Sequence, residues 1–224
     1  MPKPVKGLWN RIKALAAKPG RRSMAKLYRR GRAEDRASYQ RRRGGQYYTG
    51  SGYSKYKREF GAGFLDGVRQ AIARGERPRV LEISAGQAKF LRVLQRAFPG
   101  KVETTATGLL RPPKKMEGIS YRSGALDKLM PKFRKSGRQF DFILSHAGET
   151  QNLHPTAVAE VLSGLLSPKG VAYMETAVPR GIPEEWLEKE FAAAGLTIEF
   201  LGRWQERALG AMVYPLRVTR REQA

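Results

Sequence analysis

From about residue 60 onward the sequence alternates short apolar, β-prone runs with amphipathic stretches, and this alternation constrains the fold more than any other feature. Phe64, Leu65, Val68 and Ile72 share one helical face that ends at Gly75, and Arg79 to Ile83 (RVLEI) is a short apolar strand. Gln87 to Phe98 reads as a helix with Phe90, Leu91, Leu94 and Phe98 on its apolar side, stopped by Pro99-Gly100. Lys101 to Leu109, Ile119 to Ser123 and Phe140 to Ser145 (FDFILS) follow as β-prone runs. Thr156 to Leu166 is helical, Ser167 to Gly170 turns the chain, and Val171 to Ala177 returns as a strand. A helix from Pro183 to Ala194 and strands near Leu196 to Leu201 and Ala211 to Val218 complete the pattern. Strands joined by helices call for right-handed crossovers. The expected fold is therefore α/β: a doubly wound, seven-stranded, mainly parallel sheet with helices on both faces and an antiparallel hairpin at one edge.

Charge separates this region, residues 60–224, from what precedes it. The chain of 224 residues carries 43 Lys and Arg against 20 Asp and Glu, a net charge of +23. Residues 1–59 hold 18 of the basic residues and only three acids, Glu34, Asp35 and Glu59. Such an excess calls for a polyanionic partner. Val5, Leu8, Trp9, Ile12 and Leu15 read as a short basic amphipathic helix, which suits a nucleic-acid arm, a membrane-surface or targeting helix, or a helix docked on the main domain. Beyond it, six of the nine tyrosines fall among arginine and lysine clusters. Cations for phosphates beside flat rings for base stacking make a single-stranded nucleic-acid surface, with RNA the favoured ligand. Arg41, Arg42, Arg43, Tyr47, Tyr48, Tyr53, Lys55 and Lys57 are the candidate contacts. The competing reading packs some of the tyrosines on the folded domain and leaves the arginines merely solvated. With Gly44-Gly45 and Gly50-Ser51-Gly52 as joints, the extension is expected to be partly disordered alone.

There is no Cys, which excludes disulfides, thiolate-held zinc, iron–sulfur clusters and a cysteine nucleophile. No apolar run reaches the roughly 18 residues of a membrane span. His146 and His154 are the only histidines and are too far apart, without an Asp partner, for a metal site. His154, beside Pro155, reads as a helix N-terminal residue. A doubly wound sheet binds ligands beyond the carboxyl ends of its strands, so the loops after Ile83, Leu109, Ser123 and Ser145 are the candidate site.

Val80-Leu81-Glu82-Ile83-Ser84-Ala85-Gly86-Gln87-Ala88, followed by Phe90-Leu91 and Leu94, resembles the first motif of class I S-adenosylmethionine-dependent methyltransferases. The order of elements resembles that family across roughly residues 60 to 220. The resemblance implies S-adenosylmethionine as cofactor, with Glu82, Ser84, Ala85, Gly86 and Ala88 in the cofactor loop, Leu109 or Leu110 where the ribose-binding acid usually stands, and Asp127 near the adenine. Asp127 suits equally the cap of a helix beginning at Lys128. Ser84 and Ala88 replace the family's outer glycines. The resemblance also places Ser145, His146 and Glu149 toward the methyl acceptor, with His146 or Glu149 as a possible base. The [DNS]-P-P-[YFW] motif of amino-methylating enzymes, the Lys-Asp-Lys-Glu tetrad of ribose 2′-O enzymes and the cysteine of cytosine C5 enzymes are missing.

Three functional expectations follow. The leading one is an S-adenosylmethionine-dependent methyltransferase acting on RNA, ribosomal or transfer, held by the basic arm. The second keeps the fold as a non-catalytic RNA-binding or ribonucleoprotein component. The third is a small-molecule or protein methyltransferase with a targeting arm. The expected compartment is the cytoplasm, or the mitochondrial matrix if the first helix is a transit peptide.

Overall fold

The computed structural model describes residues 53–108, 116–124, 126–146, 148–206 and 211–221. Arg41, Arg42, Arg43, Tyr47, Tyr48 and Leu109 lie outside the described residues. Two helices precede the sheet: α1 (Tyr53–Phe60) and α2 (Gly63–Ala73). The sheet and its crossovers follow as β1 (Arg79–Ile83), α3 (Lys89–Ala97), β2 (Glu103–Gly108), β3 (Ile119–Ser123), α4 (Leu126–Lys135), β4 (Phe140–Ser145), the single turn α5 (Glu149–Asn152), α6 (Pro155–Leu165) and β5 (Leu166–Pro179). The chain closes with α7 (Glu184–Ala192), β6 (Leu196–Phe200), the three-residue β7 (Trp204–Glu206) and β8 (Ala211–Arg220).

The strands order as β3-β2-β1-β4-β5-β8-β6, with β7 paired to β8. Strands β1 to β5 run parallel, while β8 is antiparallel to both β5 and β6. The expected edge hairpin is present, but its second strand inserts between β5 and β6. The turn expected at Ser167 to Gly170 is instead a bulge inside β5. Leu166 pairs with Phe140 and Val171 with Phe142, so the extra residues loop out while pairing resumes.

Alternation along β1 sends its side chains into two cores. Val80 joins Phe64, Val68, Phe90 and Leu94 on the face covered by α1, α2 and α3. Leu81 and Ile83 join Leu129, Phe133, Leu162 and Phe191 on the face covered by α4, α6 and α7. Glu82 shares the first face, directed by its strand register into an aromatic core.

Helix α1 straddles the expected boundary at residues 59 and 60. Tyr53, Tyr56 and Phe60 fall at the helical spacing i, i+3, i+7, and Tyr56 and Phe60 are both 5% exposed. Their rings meet Phe90 at 4.8 Å and Tyr173 at 6.3 Å, respectively. Tyr53 stacks on Phe90 at 6.4 Å, whereas Lys55 and Lys57 on the opposite face are exposed. This face of α1 is therefore core, and Phe60→Ala is expected to cost about 3 kcal/mol. Denaturant unfolding of the full chain measures it, and an unchanged midpoint would show that α1 contributes nothing to the folded unit.

Candidate active site

At the carboxyl end of β1 the chain makes a turn in which every second residue is left-handed. Ser84 has φ 57°, Gly86 φ 57° and Ala88 φ 47°. L-residues pay steric energy there, of order 1–2 kcal/mol each, because Cβ crowds the following carbonyl. The turn is held by Ala85 N–H donating to Thr107 O on β2 at 2.8 Å and by Ala88 N–H donating to Ala85 O at 2.8 Å. Ala88 is fully buried at the N-cap of α3, with no side-chain cap. The Ser and Ala at these positions therefore preserve a glycine-type backbone path.

Glu82, just before the turn, is fully buried. The Tyr56 hydroxyl donates to its Oε1 at 2.8 Å, while Oε2 has no hydrogen-bond partner among the described residues. Burial pushes this carboxyl up to about 8, against weaker opposing pulls from the Tyr56 hydroxyl and the Leu91 backbone amide. Glu82 is thus uncharged at neutral pH.

The loop after β4 closes against the turn after β1. Glu149 N–H donates to Ser84 Oγ at 3.1 Å, and Glu149 Oε1 accepts from the Leu126 N–H at the start of α4 at 2.8 Å. A carboxylate at a helix N-terminus meets the positive end of the helix dipole. A side chain at Gly148 would place Cβ 2.8 Å from Ser84 Cβ and Oγ, and φ there is +81°. Only glycine fits that crossing.

His146 follows β4 and is 6% exposed. Its Nε2 stands 3.1 Å from Oε1 of the fully buried Glu175 on β5, whose Oε2 accepts from Gln151 Nε2 at 2.6 Å. The rings of Tyr56 and Phe60 approach the imidazole edge-on, with centroids at 5.9 and 6.3 Å. Burial, with help from the charge of Lys55 and against Glu59, pushes the imidazole down to about 4, so the ring is neutral. Nδ1 has no hydrogen-bond partner among the described residues.

The structure thus brings Glu82, Ser84, Ala85, Gly86, Ala88, His146 and Glu149 to one end of the sheet. Ser145 is there also, but its Oγ shares a 2.7 Å hydrogen bond with Thr150 Oγ1 in a buried pair. Asp127 lies in the first turn of α4, which begins at Leu126 and not at Lys128. His154 is the N-cap of α6 and its Nδ1 accepts from Thr156 N–H at 3.3 Å. Sequence reasoning missed Tyr56, Gln151 and Glu175 as members of the cluster. An acid inside the apolar run Ala172 to Val178 is the signal that marks Glu175, and the aromatic spacing of α1 is the one that marks Tyr56.

The strand order with its antiparallel β8 is that of the S-adenosylmethionine-dependent methyltransferase fold. Among solved structures, the chain is similar to a TehB-like SAM-dependent methyltransferase from Corynebacterium glutamicum, at 17% identity over 75% of this chain and 96% of that one, TM-score 0.48. It is also similar to a SAM-dependent methyltransferase from Agrobacterium tumefaciens, at 11% identity over 73% and 62%, TM-score 0.49. A third is Trm5b from Pyrococcus abyssi, at 16% identity over 70% and 49%, TM-score 0.45. No protein-family model matches the chain, and no curated protein does. Among the described residues no helix is long and apolar enough to cross a membrane, and no group of three His, Asp or Glu residues comes together to hold a metal ion.

The two buried titratable groups set opposite pH dependences. Glu82 has a raised pKa, so its contribution to stability is full below the ordinary carboxyl range and is lost as pH rises toward about 8. His146 has a lowered pKa, so its contribution is full above the ordinary histidine value and is lost as pH falls toward about 4. Stability should therefore decline between roughly pH 6.5 and 8 through Glu82 alone of this pair. Denaturant unfolding across that interval should show the decline in the wild type and a flatter profile in Glu82→Gln. Parallel profiles would show that Glu82 is ionised in the folded protein.

Proposed function

We propose that this chain is an S-adenosylmethionine-dependent methyltransferase acting on RNA. The observation that carries the cofactor reading is the turn of Ser84, Gly86 and Ala88, all left-handed, at the end of β1 in a sheet of methyltransferase order. Bound there, S-adenosylmethionine would supply a sulfonium methyl group. The residues present fit it. The small side chains of residues 84–88 leave backbone bare for close approach, and Glu82 offers a buried carboxyl oxygen without a hydrogen-bond partner to the cofactor's cationic end. His146, neutral and backed by Glu175, is the group that would take a proton from an acceptor N–H or O–H. The RNA reading rests on the net charge of the first 59 residues and on their interleaved tyrosines.

One observation favours a second reading, a non-catalytic RNA-binding protein of the same fold. Glu149 draws the loops after β1 and β4 together, and Tyr56 fills the space beside Glu82. Calorimetric titration of the full chain with S-adenosylmethionine and its demethylated product separates the two. Binding is expected, with loss of at least about tenfold in affinity in Gly86→Val, because a β-branched residue is strained at that φ. If Glu82 meets a cation, titrations in two buffers at pH 7 should show release of about one proton on binding, absent in Glu82→Gln. No binding to the folded chain, alone or with RNA, would leave the second reading. Transfer of labelled methyl to total RNA, lost on ribonuclease treatment, tests the substrate.

A further inference from the structure

Helix α4 divides its side chains sharply. Leu126, Leu129, Met130 and Phe133 are buried, while Lys128, Lys132 and Lys135, at i, i+4 and i+7, form an exposed cationic row. Between this helix and the edge strand β3 opens a groove of about 560 Å³, with Arg79, Arg122, Lys132 and Arg138 on its walls and Glu103 as the one acid among the residues lining it. Arg138 is held by Glu103 and by Thr105 Oγ1 at 3.0 Å, and Arg79 by Asp141 at 3.4 Å. Arg122, Lys128, Lys132 and Lys135 have no ion-pair partner among the described residues. Gathering unpaired cations around a concavity raises the local potential and stores self-repulsion, which a polyanion relieves while releasing its own counterions.

The groove also has a direction. β3 ends one side of the sheet, so nothing in the strand order closes the groove lengthwise. The edge strand itself, five residues long, spans about 16 Å, a length that spans more than one phosphate of a single strand. Arg122 stands near the carboxyl end of β3, pairing with Thr107, and the chain then leads to Leu126, whose N–H is held by Glu149. Arg122 thus marks the end of the groove toward the carboxyl ends of the strands, and Arg79, at the start of β1, marks the other. We infer that this groove carries the sugar–phosphate backbone of the RNA, as a surface on the folded domain separate from the N-terminal extension. The inference rests on the RNA reading and adds to it where the strand runs. Such contacts position a strand without reading its sequence.

The test uses the full chain and a fluorescein-labelled oligouridylate, with affinity measured by anisotropy over a range of salt. Arg122→Glu with Lys132→Glu should weaken binding at least tenfold and reduce the slope of log K against log salt by about 1.4, the loss of two phosphate contacts. Arg96→Glu with Lys101→Glu, an equal charge change on exposed positions of α3 and the turn after it, should have a much smaller effect. Lys132→Glu alone should give an intermediate slope, and no variant's unfolding midpoint should fall below that of the wild type, since these side chains are exposed. Equal losses in both double variants, or wild-type affinity and slope in Arg122→Glu/Lys132→Glu, would overturn the groove while leaving RNA binding in place. A wild type that does not bind the oligonucleotide would overturn the RNA reading itself, and the groove with it.

Discussion

A single buried hydrogen bond, from the Tyr56 hydroxyl to the Glu82 carboxyl, ties helix α1 to the end of the central strand β1. β1 sits between β2 and β4, so the face on which Glu82 points is decided by sheet register. That face is filled by Phe64, Phe90 and Tyr173, which give a carboxyl little solvation. A buried acid in such a place either finds a donor or keeps its proton, and Glu82 does both. Because the donor comes from α1, the polarity of the turn at residues 84–88 depends on where α1 sits. Helix α1 and the candidate cofactor turn are therefore joined through Glu82.

The turn itself shows how a glycine-type path survives the loss of glycines. Ser84 and Ala88 hold left-handed backbones because their surroundings over-determine them: Ala88 is sealed at the start of α3, and Ser84 Oγ accepts the Glu149 amide. A glycine at 84 would relax the backbone and forfeit that acceptor. The close approach it would have allowed is supplied from across the gap by Gly148, where no Cβ can stand. At this crossing Gly148 supplies the bare backbone and Ser84 the tether.

Much of the fold was legible, and the reason is local. Arg79–Ile83, Ile119–Ser123 and Phe140–Ser145 are strands of the expected extent because each is a β-prone run with a polar or turn-forming boundary. Helix α1 was hidden because its Tyr53, Tyr56 and Phe60 stripe is interrupted by Lys55, Lys57 and Arg58, which read as a nucleic-acid surface. The helix has one buried aromatic face and one exposed basic face. The β5 bulge was hidden because Ser-Pro-Lys-Gly is ordinarily a turn, and only the pairing of Leu166 with Phe140 keeps it in the strand. In the site, the turn could be read from contiguous residues. The His146, Glu175 and Gln151 cluster could not, since its members meet only when β4 and β5 pair.

Charge, finally, is arranged across the sheet as well as along the chain. At the β6 edge Arg217 meets Glu199 at 3.1 Å, Arg203 meets Glu184 at 3.3 Å, and α7 carries Glu184, Glu185, Glu188 and Glu190 against a single Lys189. At the β3 edge the row on α4 has no such matching among the described residues. A net charge of +23 spread evenly would attract a polyanion to any surface and hold it in no particular place. Acids concentrated at one edge repel a strand from there, and unpaired cations at the other draw it in. The same sheet that sets the site at its carboxyl end thereby gives a polyanion one favoured side from which to approach it.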